Sequence, residues 1–318
     1  MPMQPPVPLS RLYRAVLRVS GRDQLLLVLL ALAVSGLAAA PLKVQQLVVN
    51  GLVAGTAPGH LVLLCGLFLA AVAASAGLKL LLNERITLVG ERVVLRIRER
   101  LYATRLAGPP EPGPGAGAGD GRLVAMLTGE AESVGQFAGA AIAQPLVQIG
   151  TLLSVVAFLV VQEPWLGLVA LAVVAPQAAI AGRAQRVVNA RVGERVQALR
   201  DAAQGVAEAR PGPADPAVPA ALERVYTARR RLTRVKLAAK AASTLIGGLG
   251  AAAILLLGGL LVLDGRSDVG TVVAALAGLA RIERPWRDLV AFFRQASVVR
   301  VKYGLLAPEL EPAASPPA

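Results

Sequence analysis

Arg281, Arg284, Asp288, Phe292 and Gln295 follow one another at helical spacing, so a helix through them carries all five on one stripe. Two guanidiniums, a carboxylate, an aromatic ring and an amide in a row neither make nor break bonds. They bind, and ionisable groups held at membrane depth mark pathways for ions or polar molecules. Pro285 sits in the middle of the stripe, where it removes a backbone donor and bends the helix. The residues before Arg281 are apolar. The stripe therefore reads in two ways, as the polar wall of a membrane cavity or as ordinary charges just outside the membrane.

A second polar set is Gln136, Gln144 and Gln148, which share about a third of a helical circumference beside Pro145. These amides suit interhelical packing, and Gln144 and Gln148 are also candidates for a pathway wall. Lys43, Gln45, Gln46 and Asn50 mark one end of an apolar run, either lining an exit or snorkelling to the surface. His60 is the only histidine and has no ligand partners nearby in sequence. No Ser/His/Asp set or carboxylate dyad occurs at useful spacing, so no catalytic residue, metal site or bound cofactor is expected in this chain. Cys65 is the only cysteine, so no intrachain disulfide forms, and it is expected to fill space in an apolar run.

The elements that position these residues are long and apolar. Of 318 residues, 55% are hydrophobic and 17% charged, against roughly 25% charged in an average soluble domain. Aromatics are only 3%, so the apolar content is mainly Leu, Val and Ala. A bilayer needs about 20 apolar residues per helix. Stretches near 25–49, 61–82, 138–161, 164–182 and 241–263 qualify, and a sixth from 269 loses its apolar character at Arg281. The expected class is an all-α membrane protein with six transmembrane helices and long cytoplasmic helical extensions. No cleavable signal peptide is expected.

Connections alternate between short and long. Residues 50–60, Gln162 with Glu163, and 264–268 form short turns. The long ones, about 83–137 and 183–240, are rich in arginine. Of the 33 Lys and Arg, 31 precede the first span, lie between Lys79 and Arg122 or between Arg183 and Lys240, or follow Ala280, and only Lys43 and Arg266 do not. By the positive-inside rule the short turns face outward and both termini are cytoplasmic, in the plasma membrane. Topology thus accounts for the net charge of +13, and with so few stacking aromatics no nucleic-acid partner is expected.

Within the first long connection Arg92, Arg96 and Arg100 recur every four residues, with Val93, Val94, Ile97 and Leu101 on a neighbouring face. The second span should therefore run on as a half-solvated helix to about Leu106. Residues 109–121 are Pro- and Gly-rich and turn the chain around, and 210–219 do the same in the second connection. At the N-terminus Arg11, Arg14, Arg18 and Arg22 lie on one stripe with Leu12, Val16 and Val19 beside it. This predicts a short interfacial helix over 10–19 that contacts membrane lipid and turns into the first span near Arg22.

Along nearly its whole length this layout resembles the transmembrane domain of ATP-binding-cassette exporters. GDGRLVAMLTGEAESVGQF from Gly119 resembles the start of that family's third helix, with Glu130 where the family usually has Asp. GVAEAR, residues 205–210, is similar to its entry into the second intracellular loop. The segment from Leu256 to Leu306 fits its sixth helix, with Gly270-Thr271 at the opening and Pro285 inside. The resemblance implies that the two loop tips, 107–119 and 208–217, dock on nucleotide-binding domains. Arg105, Glu111 and Asp120 flank or occupy the first tip, and Glu208, Arg210 and Asp215 the second. The first tip lacks helix propensity, whereas Asp215-Pro216 makes an acceptable N-cap and first helical residue.

No GxxxxGK[ST] phosphate loop is present, and none of the five lysines follows a glycine. ATP and Mg are thus expected to act through a partner ATPase domain or subunit. The expected domains are an elbow helix at 1–23, a six-helix domain at 24–306 and a Pro/Ala-rich linker at 307–318. The expected function is the permease of an exporter that moves an amphipathic or small-molecule substrate by alternating access, paired with a second transmembrane subunit, for which GGLGAAA at 247–253 offers a close-packing face. The alternative is a transport-inactive regulatory or binding membrane protein on the same fold.

Overall fold

The computed structural model describes residues 9–107, 124, 126–208 and 217–310. Every element among them is helical: α1 (Leu9–Leu37), α2 (Ala40–Val53), α3 (Pro58–Ala107), a π-helical turn (Met126–Glu130), α4 (Ala131–Ala140), α5 (Ala143–Gln162), α6 (Pro164–Glu208), α7 (Ala217–Leu263) and α8 (Val269–Leu310). Five stretches are long and apolar enough to cross a bilayer: Ser20–Val53, Pro58–Thr104, Met126–Gln162, Pro164–Val188 and Val218–Leu263. The expected sixth span lies in α8, where Arg281, Glu283 and Arg284 put three charges within a helical window that starts at Val269.

The chain divides into two units, one made of Met1–Phe158 with Arg284–Ala318, the other of Leu159–Glu283. In the first unit α3 is a single helix of 50 residues, roughly 75 Å long. Val93, Val94, Ile97 and Leu101 are all buried, while Arg92, Arg96 and Arg100 are exposed, so the two faces expected from the spacing are both present. Among the described residues nothing covers the most apolar window of α3, a surface suited to lipid tails or another subunit. Cys65 lies on this run and is exposed, so it does not fill a gap in a core.

α4 lies antiparallel along α3. Gly135 approaches Gly90 and Val94, and Gly139 approaches Ile86 and Gly90. A Cβ on Gly139 would stand 2.2 Å from the Ile86 carbonyl oxygen, so only glycine permits the backbones to come this close. The first expected span is broken at Ala38 and Ala39, and α2 restarts with Pro41 in its first turn. Proline is at home there because its missing N–H would have had no helical partner. α1 itself kinks at Ser20 (φ −132°, ψ 23°), next to the expected turn at Arg22.

In the second unit α6 and α7 pair along their length. The Gln177 side-chain amide donates to the Ser243 carbonyl (3.2 Å), and Val173 fills the space beside Gly250. Within GGLGAAA, Gly250 is therefore used for packing inside the chain, whereas a Cβ on Gly248 would meet open space. α6 continues through Pro176 without ending. α8 begins where Asp268 accepts from the Thr271 N–H (2.7 Å) and from its hydroxyl (2.8 Å), which satisfies one of the orphan donors of a helix start. Both Asp264 and Gly265 precede this cap, and Gly265 has a positive φ of 68°, a conformation that glycine adopts without steric cost.

Candidate functional site

The candidate residues are divided between the two units. Arg281 belongs to the second unit and is half-buried. Arg284, Asp288, Phe292 and Gln295 belong to the first. Arg284 and Asp288 form an ion pair at 3.8 Å, with side chains 84% and 40% exposed. A pair so open to solvent adds little to stability. Gln295 is exposed. Phe292, by contrast, is 4% exposed and stacks on Phe137 with ring centroids 5.5 Å apart. Its place on the stripe is thus a packing place. Gln144 and Gln148 are half-buried in α5 and make no hydrogen bond with any described residue. Gln46 is buried and accepts from Lys43 Nζ (2.9 Å), so part of the polar end of α2 is satisfied internally.

Of the loop-tip residues, Arg105 and Glu208 fall in the last turns of α3 and α6, where the backbone alone is described. Glu111, Asp120, Arg210 and Asp215, with both expected coupling tips, lie outside the described residues.

What the first unit does assemble is a junction between the N-terminal helix, α3, α4 and the end of α8. Phe137 is wholly buried at its centre, edge-on to Tyr13 (6.3 Å) and stacked on Phe292. Val16, Ile97, Leu101, Met126 and Val299 close round them. Val16 was expected to face lipid, but it is 4% exposed and packs in this core. The Val16 side of the N-terminal helix is therefore a protein-facing side. Burial also pushes the Tyr13 phenol above its ordinary value, because the phenolate would lose hydration there.

The π-helical turn is held from two sides. Arg98 Nε donates to the Leu127 carbonyl (2.9 Å) from α3. Lys302 Nζ, on α8, donates to the Gly129 carbonyl (3.4 Å) and to Ser133 Oγ (2.5 Å). Glu130 ends the turn, and its Oε2 is buried without a hydrogen-bond partner. Single π turns inside helices are frequent at functional sites. Further up, Gln24 Nε2 donates to the Ala138 carbonyl (2.9 Å) and to Ser20 Oγ (3.2 Å), which ties the kink in α1 to α4.

Sequence reading missed Tyr13, Gln24, Arg98, Phe137 and Lys302. One signal was available: in a chain with 3% aromatics, a lone Phe beside a predicted membrane boundary marks a packing centre. Arg98 and Lys302 gave no signal, since each looks like any other cation in a basic stretch.

Apolar spans that run on as long two-faced rods define a multi-pass helical membrane protein. The model of the ABC transporter transmembrane region matches residues 25–208, more than half of the chain. The chain belongs to that family, and is a membrane component of an ABC transporter. The match takes in the stretch from Gly119 and stops before the segment that begins at Leu256. No curated protein matches the sequence.

Proposed function

We propose that this chain is the permease of an ATP-driven exporter, moving an amphipathic or small-molecule substrate by alternating access. It works with a nucleotide-binding partner that holds ATP and Mg, and with a second transmembrane subunit. The observation that carries the reading is the continuity of α3 and α6. Each runs unbroken from an apolar span into an amphipathic rod, for 50 and 45 residues respectively. Beyond residue 82, α3 extends for about 38 Å at 1.5 Å per residue. Such rods bring two chain reversals within reach of soluble partners, and family members pair with nucleotide-binding domains. The basic composition of the long connections and of both ends supports a cytoplasmic position for the rods and the termini.

The second tip transmits more than the first in this reading, because the Pro- and Gly-rich sequence of 109–121 lacks helix propensity. The test replaces residues 208–213, and separately 109–115, with Gly/Ser linkers of equal length in the complex reconstituted with its ATPase partner. The expected result is loss of substrate-stimulated ATPase activity in the 208–213 variant and a smaller loss in the other. The reverse order overturns the ranking. Full stimulation in both variants overturns the permease reading in favour of a transport-inactive protein on this fold.

A further inference from the structure

Where α1 and α3 leave their apolar runs, the first unit has a shallow, partly open cleft lined by Asp23, Leu26, Leu27, Arg85, Leu88 and Val89, with Arg92 at its end. We infer that this cleft is a binding site for the headgroup of one anionic phospholipid. Four observations converge on that ligand.

The first is level. In α1 Asp23 stands just before the apolar run that begins at Leu25, and in α3 Arg85 stands just after the run that ends at Leu82. Asp23 meets Arg92, so the cleft runs from that level about 10 Å along α3 to Arg85 and spans the edge of the apolar run on both helices. The second is charge. Arg85 and Arg92 are two helical turns apart on one face of α3, against the single carboxylate of Asp23, so the cleft is left with one net positive charge. The third is availability. Arg92 Nη1 meets Asp23 Oδ2 at 3.5 Å, but the two side chains remain 59% and 39% exposed. A guanidinium has five donors, so this contact leaves Arg92 others to offer. Arg85 is exposed and makes no ion pair or hydrogen bond with any described residue.

The fourth is the apolar surround. Leu27 and Val89 form a buried floor, while Leu26 and Leu88 are each 43% exposed at the rim. A phosphodiester can sit between the guanidiniums while its acyl chains run along α1 and α3, past the uncovered Leu25, Leu29 and Leu81. The net positive charge sets the preference, because a phosphatidylglycerol headgroup carries one net negative charge and a phosphatidylethanolamine headgroup carries none. The site thus selects phosphatidylglycerol-like anions over phosphatidylethanolamine.

The test is native mass spectrometry of the full chain in detergent, titrated with phosphatidylglycerol, phosphatidylethanolamine or glycerol 3-phosphate. Each basic residue near an anionic headgroup is worth about a fivefold change in binding. Arg85→Gln should therefore lower the phosphatidylglycerol-bound fraction about fivefold, and Arg92→Gln by about as much. Arg92→Lys should retain most of the binding, which separates loss of charge from loss of fold. Asp23→Asn should strengthen binding, and Arg100→Gln, on the same helix outside the cleft, should change nothing. The inference is overturned if Arg100→Gln weakens binding as much as Arg85→Gln, since the attraction is then unspecific. It is overturned equally if both lipids bind alike, or if glycerol 3-phosphate displaces the lipid at matched concentration, which would make this a free-phosphate site. None of these readings involves transport or ATPase activity, so they stand or fall apart from the permease proposal.

Discussion

Gly139→Ala should destabilise the chain although it adds a single methyl group to a helix. The new Cβ would lie 2.2 Å from the Ile86 carbonyl oxygen and 3.0 Å from the Gly90 nitrogen. Both obstacles are backbone atoms of α3, so no rotamer change can relieve them. To reach an ordinary contact, α4 must withdraw by about 1 Å, which loosens the dense packing along its length. Overpacking of this kind costs about 1–3 kcal/mol, with rigid neighbours at the upper end. Against it stands the helix-propensity gain of Ala over Gly, about 1 kcal/mol. The net loss is then about 2 kcal/mol, or about 3 °C in Tm for a chain of this size. Gly77→Ala is the control, because a Cβ there meets nothing within 4 Å and only the propensity gain remains. It should raise Tm by about 1–2 °C. The measurement is thermal unfolding of the detergent-purified chain by far-UV circular dichroism at one scan rate. If Gly139→Ala unfolds at or above the wild-type temperature while Gly77→Ala behaves as stated, the close approach of α3 and α4 is refuted.

Three further predictions concern Tyr13 and Asp268. The Tyr13 hydroxyl donates to the Ala141 carbonyl over a long 3.5 Å, so Tyr13→Phe should change stability by less than about 0.5 kcal/mol, whereas Tyr13→Ala, which empties the place beside Phe137, should cost about 3 kcal/mol. Because burial raises the Tyr13 pKa, its contribution is complete below the unfolded phenol's pKa near 10 and declines as pH rises toward the folded value; alkaline melts should show wild type losing stability relative to Tyr13→Phe. Asp268→Ala should lower Tm by an amount corresponding to about 1 kcal/mol through loss of the α8 cap, and Asp268→Asn should keep most of it; equal losses would show that the cap bonds do not matter.

Periodicity made the rods legible. The alternation of Arg92, Arg96 and Arg100 with Val93, Ile97 and Leu101 predicts a helix reaching about Leu106, and α3 ends at Ala107. The short turns were legible from composition: α7 ends at Leu263 and α8 starts at Val269, on either side of the expected 264–268. The break before α2 was less visible, because Pro41 lies in an otherwise continuous apolar run and a proline there can either kink a helix or open one. The π turn and the junction at Phe137 were not legible. They depend on which residues meet across four segments far apart in the chain, and Lys302 reaches Ser133 over 169 positions. Phe292 shows the same limit. Its spacing put it on a polar stripe, but one helix has several faces, and only the partner helix decides which of them is buried.

A rod gripped partway along its length is a lever. α3 is unbroken from Pro58 to Ala107, and its tightest backbone contact with α4 falls at Ile86 and Gly90. With the fulcrum at Gly90, the arm toward Ala107 is about 25 Å and the arm toward Pro58 about 48 Å. The longer arm travels about twice as far, in the opposite direction, with about half the force. A push of ~3 Å at the Ala107 end would thus swing the Pro58 end by ~5–6 Å, provided the shaft does not bend. The position of three glycines along two helices would set that gear ratio.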